Sequence, residues 1–259
     1  MHLLEARNIS IRFGGLLAVS DANFHVDENE IVSIIGPNGA GKTTIFNILT
    51  GLYRCNSGEL YFRGNQYQDI RSPQEIMKMG ISRTFQNIRL FPNMRVIENV
   101  LMGMHTNTKY TMLQALLRTG KFRQQEALQI ERSVAILKAI GLASRMHEPA
   151  RNLPYGEQRK LEIARAIATG AKCLLLDEPA AGMNSSETEE LLKFLMLLKE
   201  NGCTILLIEH DMKFVMNISD RIYVFDHGDQ IADGTPSAIA SNPKVIRAYL
   251  GGDENSADN

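Results

Sequence analysis

Apolar and polar residues alternate at Ile9, Ile11 and Phe13, and again at Ala22, Phe24 and Val26. A period of two is that of a strand with one buried face, so the spacing predicts two strands of an N-terminal antiparallel sheet. The alternation gives way to a continuous apolar run, Ile31–Ile35, that stops at a glycine-rich turn, and Thr43 to Leu52 follows with helical spacing. Strand, glycine loop and helix in that order open a nucleotide-binding α/β unit.

From about Leu101 to Leu153 the strand pattern fades. Ile130, Val134 and Leu137 fall at i, i+4 and i+7, which predicts an apolar helical stripe, with Gly141 placed to end it. Continuous apolar runs return at Cys173–Leu176 and Thr204–Ile208, the pattern of parallel strands buried on both faces. Between them, Ser186 and Glu189 have capping-box spacing ahead of Leu191, Leu192, Leu195 and Leu198. The expected organisation is an α/β core with an antiparallel part (about 1–100 and 170–250), a helical subdomain (about 101–169) and a polar tail (251–259).

Composition narrows the function classes without choosing one. The chain has 259 residues, 44% of them hydrophobic and 22% charged, which is ordinary for a soluble globular protein. Its 28 basic and 29 acidic residues nearly cancel, which argues against wholesale binding to nucleic acid or anionic lipid. No run approaches the ~20 apolar residues of a spanning helix, and Met1–Arg7 reaches charge too early for a secretory signal. Cys55, Cys173 and Cys203 lack metal-like spacing, and two lie in apolar runs, so buried free thiols in a reducing compartment are expected.

The chemistry is concentrated in short motifs. Gly36-Pro37-Asn38-Gly39-Ala40-Gly41-Lys42-Thr43-Thr44 satisfies the P-loop pattern between a strand and a helix. The glycines let backbone N–H groups turn onto phosphate oxygens, Lys42 supplies a charge to the β- and γ-phosphates, and the Thr43 hydroxyl can hold Mg²⁺. Asp177 and Glu178 end the Cys173–Leu176 run. A carboxylate at that strand end suits Mg²⁺, and its neighbour can orient and deprotonate an attacking water.

With these motifs the chain resembles the ATP-binding subunits of ABC transporters, from Leu4 to Leu250. The resemblance implies a P-loop NTPase (RecA-like) core with an N-terminal antiparallel β subdomain and an inserted helical one, working on ATP with Mg²⁺. It also assigns roles. Phe13 would stack on adenine, Gln86 would link Mg²⁺ and the attacking water to the helical lobe, and His210 would contact the γ-phosphate. The other histidines (His2, His25, His105, His147 and His227) carry no such context and are expected to be structural or exposed. Leu153-Pro154-Tyr155-Gly156-Glu157-Gln158 holds the position of the signature motif, just before a helix expected from Arg159 to Thr169. That motif closes over nucleotide bound by a second subunit. Pro154 stands where the family has serine and Tyr155 where it has glycine, so one phosphate contact is missing while Gly156 and the helix N-terminus remain. Asn184 replaces the aspartate usual in the following loop, keeping a hydrogen-bonding group for contact across the dimer.

The stretches Ile81–Met94, Val96–Val100, Tyr155–Arg165 and Ala180–Asn184, with the ending Gly234-Thr235-Pro236 to Leu250, are similar to one branch. That branch is the larger ATPase of bacterial importers of branched-chain and other hydrophobic amino acids. It implies two membrane permease subunits, a second related ATPase or a homodimer, and, indirectly, a periplasmic binding protein. It implies no nucleic acid, and a peripheral position at the cytoplasmic face of the inner membrane. The groove near Gln86 and Asn87–Glu98 would receive a segment of the permease. Two readings from other classes compete: an ABC ATPase acting on nucleic acid, and a silent subunit that binds ATP while its partner hydrolyses it. The first calls for tandem cassettes, coiled-coil arms or zinc clusters, none of which the sequence shows. The intact Lys42, Asp177, Glu178 and His210 oppose the second. Import of urea or short amides, or export of envelope lipid, fits the same motifs.

Overall fold

The computed structural model describes residues 2–70, 72–105, 116 and 119–250. The expected polar tail (251–259) lies outside them, as do 106–115 and 117–118 of the expected helical subdomain. Chain order begins with β1 (His2–Phe13), β2 (Leu16–Asp27), β3 (Ile31–Ile35), α1 (Lys42–Leu49), β4 (Ser57–Phe62), β5 (Asn65–Gln66), α2 (Pro73–Met79) and β6 (Ile81–Arg83). Two longer helices follow, α3 (Val96–Met104) and α4 (Gly120–Ala139), and then α5 (Tyr155–Ala168). The chain continues through β7 (Cys173–Asp177), α6 (Ser185–Glu200), β8 (Thr204–Ile208), α7 (Met212–Ile218), β9 (Arg221–Asp226) and β10 (Asp229–Gly234). It ends in α8 (Pro236–Ala240) and α9 (Pro243–Leu250).

The strands join in the order β5-β4-β1-β2-β10-β9-β3-β8-β7-β6. β1, β2, β4 and β5 pair antiparallel, as the alternation at Ile9–Phe13 and Ala22–Val26 predicts. β9, β3, β8, β7 and β6 run parallel, with β10 folded back antiparallel on β9. One short parallel contact, Asp229 opposite Ser20, joins the two parts.

Every residue of β3, β7 and β8 is buried, which explains their unbroken apolar runs. Their side chains alternate between two cores. Cys173, Leu175, Leu206 and Ile208 pack with α1 and the antiparallel strands, while Leu174, Leu176, Ile205 and Leu207 pack with α3, α5 and α6. A third cluster joins Ile35, Val215, Ile222 and Val224 to the C-terminal Ile239 and Val245.

Four sequence expectations need correcting. α1 ends at Leu49 rather than Leu52, because Thr50 turns its hydroxyl back onto the Phe46 carbonyl at 2.7 Å and Gly51 follows at φ +70°. α4 does not bury Ile130, which is 43% exposed; Ser133 and Leu137 face inward. The stripe is therefore shifted round the helix from the one that spacing alone predicts. The box that opens α6 uses Asn184 and Glu187, not Ser186 and Glu189: Asn184 Oδ1 accepts from Glu187 N, and Asn184 N donates to Glu187 Oε2, both at 3.0 Å. Asn184 has the extended backbone a cap requires, whereas Ser186 already lies in the first turn. Last, α5 begins at Tyr155 with Pro154 as its cap, so Tyr155–Gln158 form the first helical turn instead of preceding the helix. Proline tolerates that site because no intrahelical bond is asked of its nitrogen.

Candidate functional site

β3, β7 and β8 end on the same edge of the parallel sheet, the edge where open α/β sheets hold ligands. Beyond Ile35 the chain makes the glycine turn, and two glycines there are required by contact. A Cβ on Gly36 would lie 2.0 Å from the Phe225 carbonyl oxygen; one on Gly41, at φ +92°, would lie 2.5 Å from that of Ala18. Lys42 opens α1 and folds back over the loop, its Nζ donating to the carbonyls of Gly36 at 2.7 Å and Pro37 at 2.8 Å. Burial lowers the affinity of this amine for its proton, and Glu178 and Asp177 pull it back up.

The cleft above the loop encloses about 430 Å³. Asn38, Gly39, Ala40, Gly41, Lys42, Thr43 and Thr44 line its floor, Phe13, Leu16, Leu17 and Ala18 one wall, and Glu178 and His227 the rest. Gly36 and Pro37 lie below it and act through Lys42. Phe13 is 44% exposed and meets Tyr53 edge-on, with ring centroids 5.2 Å apart. An exposed aromatic face on an apolar wall can stack on a base.

The carboxylates stand in different surroundings. Asp177, the last residue of β7, is buried and holds Arg83 at 2.7 Å through Oδ2. Arg83 in turn donates to Asn47 Oδ1 at 2.7 Å, tying the strand end to α1. Glu178 faces the cleft with φ +45°, a left-handed backbone that costs a side-chain-bearing residue about 1–3 kcal/mol. Its N–H donates to the Ile208 carbonyl at 2.9 Å, which pins the strained residue to β8. Gln86 Nε2 donates to Glu178 Oε2 at 2.7 Å, and His210 Nδ1 lies 3.8 Å from the same oxygen. Beneath them Glu209 is fully buried and accepts from the N–H groups of Ala180 at 2.7 Å and His210 at 3.1 Å. Burial raises its pKa, and those two N–H groups oppose the rise.

The Thr43 hydroxyl lines the cleft, and the Gln86 amide and Asp177 carboxylate, which meet Glu178 and Arg83, add two further hard oxygen donors. Such a donor set fits Mg²⁺ arriving with a nucleotide as part of the substrate. Arg83 engages only one oxygen of Asp177.

The signature residues are not brought to this cleft. Tyr155, 40% exposed, Gly156 and Glu157 lie on the first turn of α5, outside its lining. Gly156 N donates to Glu187 Oε1 at 3.3 Å, and Glu157 Oε2 accepts from Arg145 Nη1 at 2.7 Å. One chain therefore presents a nucleotide cradle and, elsewhere, a helix N-terminus with Tyr155 exposed and the Gly156 N–H held by Glu187.

Sequence reasoning passed over three residues. His227 is exposed, as expected, but its exposed side chain stands at the rim of the cleft, on the Asp226-His227-Gly228 turn. Arg83 stands in the stretch quoted around Gln86, but only folding pairs it with Asp177. Arg159 is buried under the loop that carries Gln86, which a basic residue on a polar helix face does not announce.

Residues 19–181 match the family model described as ABC transporter, and 230–255 match one described as branched-chain amino acid ATP-binding cassette transporter. The chain is 49% identical over 250 residues to the high-affinity branched-chain amino acid transport ATP-binding protein LivG of Escherichia coli K12, covering 96% of this chain and 98% of that one. It superposes with TM-score 0.85 and 32% identity on the ADP conformation of MJ1267, an ATP-binding cassette of an ABC transporter, over 97% of this chain and 99% of that one. A dimeric post-hydrolysis structure of the ATP-binding cassette MJ0796 bound to ADP and Pi matches with TM-score 0.72 and 26% identity, over 90% of this chain and 98% of that one.

Proposed function

The chain belongs to the ABC transporter ATP-binding family, and we propose that it powers the import of branched-chain and other hydrophobic amino acids across a bacterial inner membrane. It is an ATPase of the family that couples hydrolysis to transport. The observation that carries the catalytic reading is that Glu178 lines the same cleft as Lys42 and Thr43 and accepts a short bond from Gln86.

Adenine stacks on Phe13, and the phosphates lie along Asn38–Thr44. Lys42 leaves the Gly36 and Pro37 carbonyls for the β- and γ-phosphates. Thr43, Gln86 and Asp177 would hold the Mg²⁺ that accompanies ATP, which would neutralise charge on the phosphate oxygens. Gln86 and His210 orient a water against Glu178, which takes its proton as oxygen attacks the γ-phosphorus. The bond to the bridging oxygen breaks, leaving ADP and phosphate. Lys42 and His210 stabilise the charge that moves onto the departing and transferred groups.

The second half of each site comes from another copy or a second related ATPase. Its Tyr155, Gly156 and Glu157 close on the γ-phosphate, with the α5 N-terminus favouring the anion. The position of these residues outside their own chain's cleft supports that reading, as does the dimer described for MJ0796. The helical part, 101–169, then moves against the α/β body formed by 1–100 and 170–250. Closure transmits force only if ATP binds the closed dimer far more tightly than the open one.

Among the described residues no helix is long and apolar enough to cross a membrane, so the membrane path belongs to two permease subunits. The chain docks on them from the cytoplasmic face, and a periplasmic binding protein delivers the amino acid. A cleft of about 670 Å³ lined by Arg89, Phe91, Met102 and Arg165 lies beside the Gln86 loop and suits a permease segment. Uptake of labelled leucine, isoleucine and valine by cells lacking this subunit tests the proposal. Wild-type chain should restore uptake and Glu178→Gln should not. Normal uptake without the subunit would overturn the substrate assignment, and full ATP turnover by Glu178→Gln would overturn the base.

A further inference from the structure

One buried ion pair has no part in the hydrolytic scheme above. Arg159 and Glu162, one turn apart on the inner face of α5, approach to 2.9 Å with side chains 0% and 2% exposed. Charges at that depth are costly unless their remaining donors and acceptors are used. Arg159 Nη1 donates to the Phe85 carbonyl at 2.8 Å, and Nη2 donates to the Gln86 carbonyl at 2.6 Å. Glu162 Oε1 accepts from the Arg89 N–H at 2.9 Å. Burial pushes the Glu162 carboxyl up, and the Arg89 N–H and Arg159 guanidinium hold it down.

The pair therefore grips the loop on both sides of Gln86. It also reaches further, since Arg159 Nη2 comes within 3.4 Å of the Tyr155 hydroxyl on the first turn of α5. Past the loop, the Gln86 side chain ends on Glu178 Oε2. A continuous polar path thus runs from the turn proposed to meet the second subunit's nucleotide to the carboxylate proposed to activate water. The planar fork suits two adjacent carbonyls, which a single ammonium cannot span in the same way.

We infer that Arg159 is a positioning residue: it fixes the Gln86 backbone to α5, so that displacement of the signature turn moves Gln86 on or off Glu178. The inference rests on the proposed roles of Gln86 and Glu178. Arg159 touches no reacting atom; its bonds to the Phe85 and Gln86 carbonyls reach the site through the loop that carries Gln86, and dependence on Gln86 separates this role from merely keeping α5 folded.

The test is MgATP turnover by the assembled transporter carrying Arg159→Lys, Arg159→Met with Glu162→Gln, or Gln86→Ala, singly and combined. The Met/Gln pair strands no charge and keeps an acceptor for Arg89. Misplacing a catalytic group by about 1 Å costs up to ~100-fold, so we expect kcat to fall about 10- to 100-fold in the Met/Gln variant. KM for MgATP should stay near wild type, the melting temperature should remain well above the assay temperature although the Phe85 and Gln86 carbonyls lose a donor, and Arg159→Lys should recover part of the loss. In the Gln86→Ala background the Met/Gln change should cost no more than about twofold further, because its route of action is already cut. Losses that multiply fully with Gln86→Ala, or an unchanged kcat in the Met/Gln variant, would overturn the inference. Glu178→Gln measured alongside separates the two claims. If that variant turns over normally, the reading of the site fails; if it is inactive while Arg159 variants behave as wild type, only the role of Arg159 fails.

Discussion

The phosphate loop and the signature turn are both helix N-termini, yet they are built for different situations. Around Gly36–Thr44 the glycines, lysine and hydroxyls are contiguous in the chain, and distant strands close in on them. Backbone carbonyls of Ala18 and Phe225 crowd the glycines, and Lys42 is already bent over the turn. Around Tyr155–Gln158 the N–H of Gly156 is occupied by Glu187, Glu157 is tied to Arg145, and Tyr155 is left exposed. Each site keeps a donor on an internal partner that a ligand has to displace: Lys42 Nζ on the Gly36 and Pro37 carbonyls, and the Gly156 N–H on Glu187. They differ in surroundings: the first lines a walled cleft of its own chain, whereas the second lies outside that cleft, as expected of a surface that acts only on assembly.

Variants on the two sides should separate binding by one chain from turnover by the pair. The largest effect is expected for Lys42→Ala. Removing a charge aimed at the transferred phosphoryl group should lower turnover by about 10²–10³-fold, and nucleotide affinity of the isolated chain should fall with it. Titration of the single chain with a fluorescent ATP analogue, alongside phosphate release by the assembled transporter, checks both parts.

Gly41→Ala comes next. Its Cβ would press on the Ala18 carbonyl in a backbone region that alanine avoids, so urea denaturation should show a loss of about 1–3 kcal/mol. Wild-type stability would mean the loop is far less constrained than the contacts around it imply.

Gly156→Ala examines the other side. The added methyl would sit 3.2 Å from the Glu187 side chain and disturb the turn. Turnover by the assembled transporter should drop about tenfold while nucleotide affinity of the isolated chain stays within about twofold. A matching loss of affinity in the single chain would erase the contrast between the two helix ends.

The smallest change is expected for Pro154→Ser. A serine cap adds roughly 1 kcal/mol and loss of the proline ring removes roughly 0.4–1 kcal/mol, so stability should move by no more than about 0.6 kcal/mol. Any gain in turnover would then report the phosphate contact that Pro154 lacks, uncomplicated by folding.

Much of this was legible before folding, where the physics is local. The Gly36–Thr44 turn needs glycines, a lysine and a hydroxyl at fixed spacing, and the runs Ile31–Ile35, Cys173–Leu176 and Thr204–Ile208 are apolar because both of their faces are buried. The capping of α6 was misplaced by two residues because Ser186 and Asn184 are both competent caps. Only the backbone angles decide between them. The inward face of α4 was misjudged for a related reason: which stripe is buried depends on the neighbour it meets.

The sequence by itself determined that the chain holds a phosphate loop, a carboxylate pair after a buried strand, two alternating strands near the N-terminus and the three buried runs Ile31–Ile35, Cys173–Leu176 and Thr204–Ile208. Each of these follows from contacts between near neighbours or from a period set by the backbone. Only the tertiary structure decided that Glu178 takes a left-handed backbone beneath Gln86, that Arg83 holds Asp177, that His227 edges the cleft, and that Arg159 lies under the Gln86 loop. Those relations join residues from 70 to more than 180 positions apart, counted from Arg159–Gln86 (73) and His227–Lys42 (185). They exist because parallel strands deliver their ends to one edge, a matter of which strands pair and not of what any single segment contains.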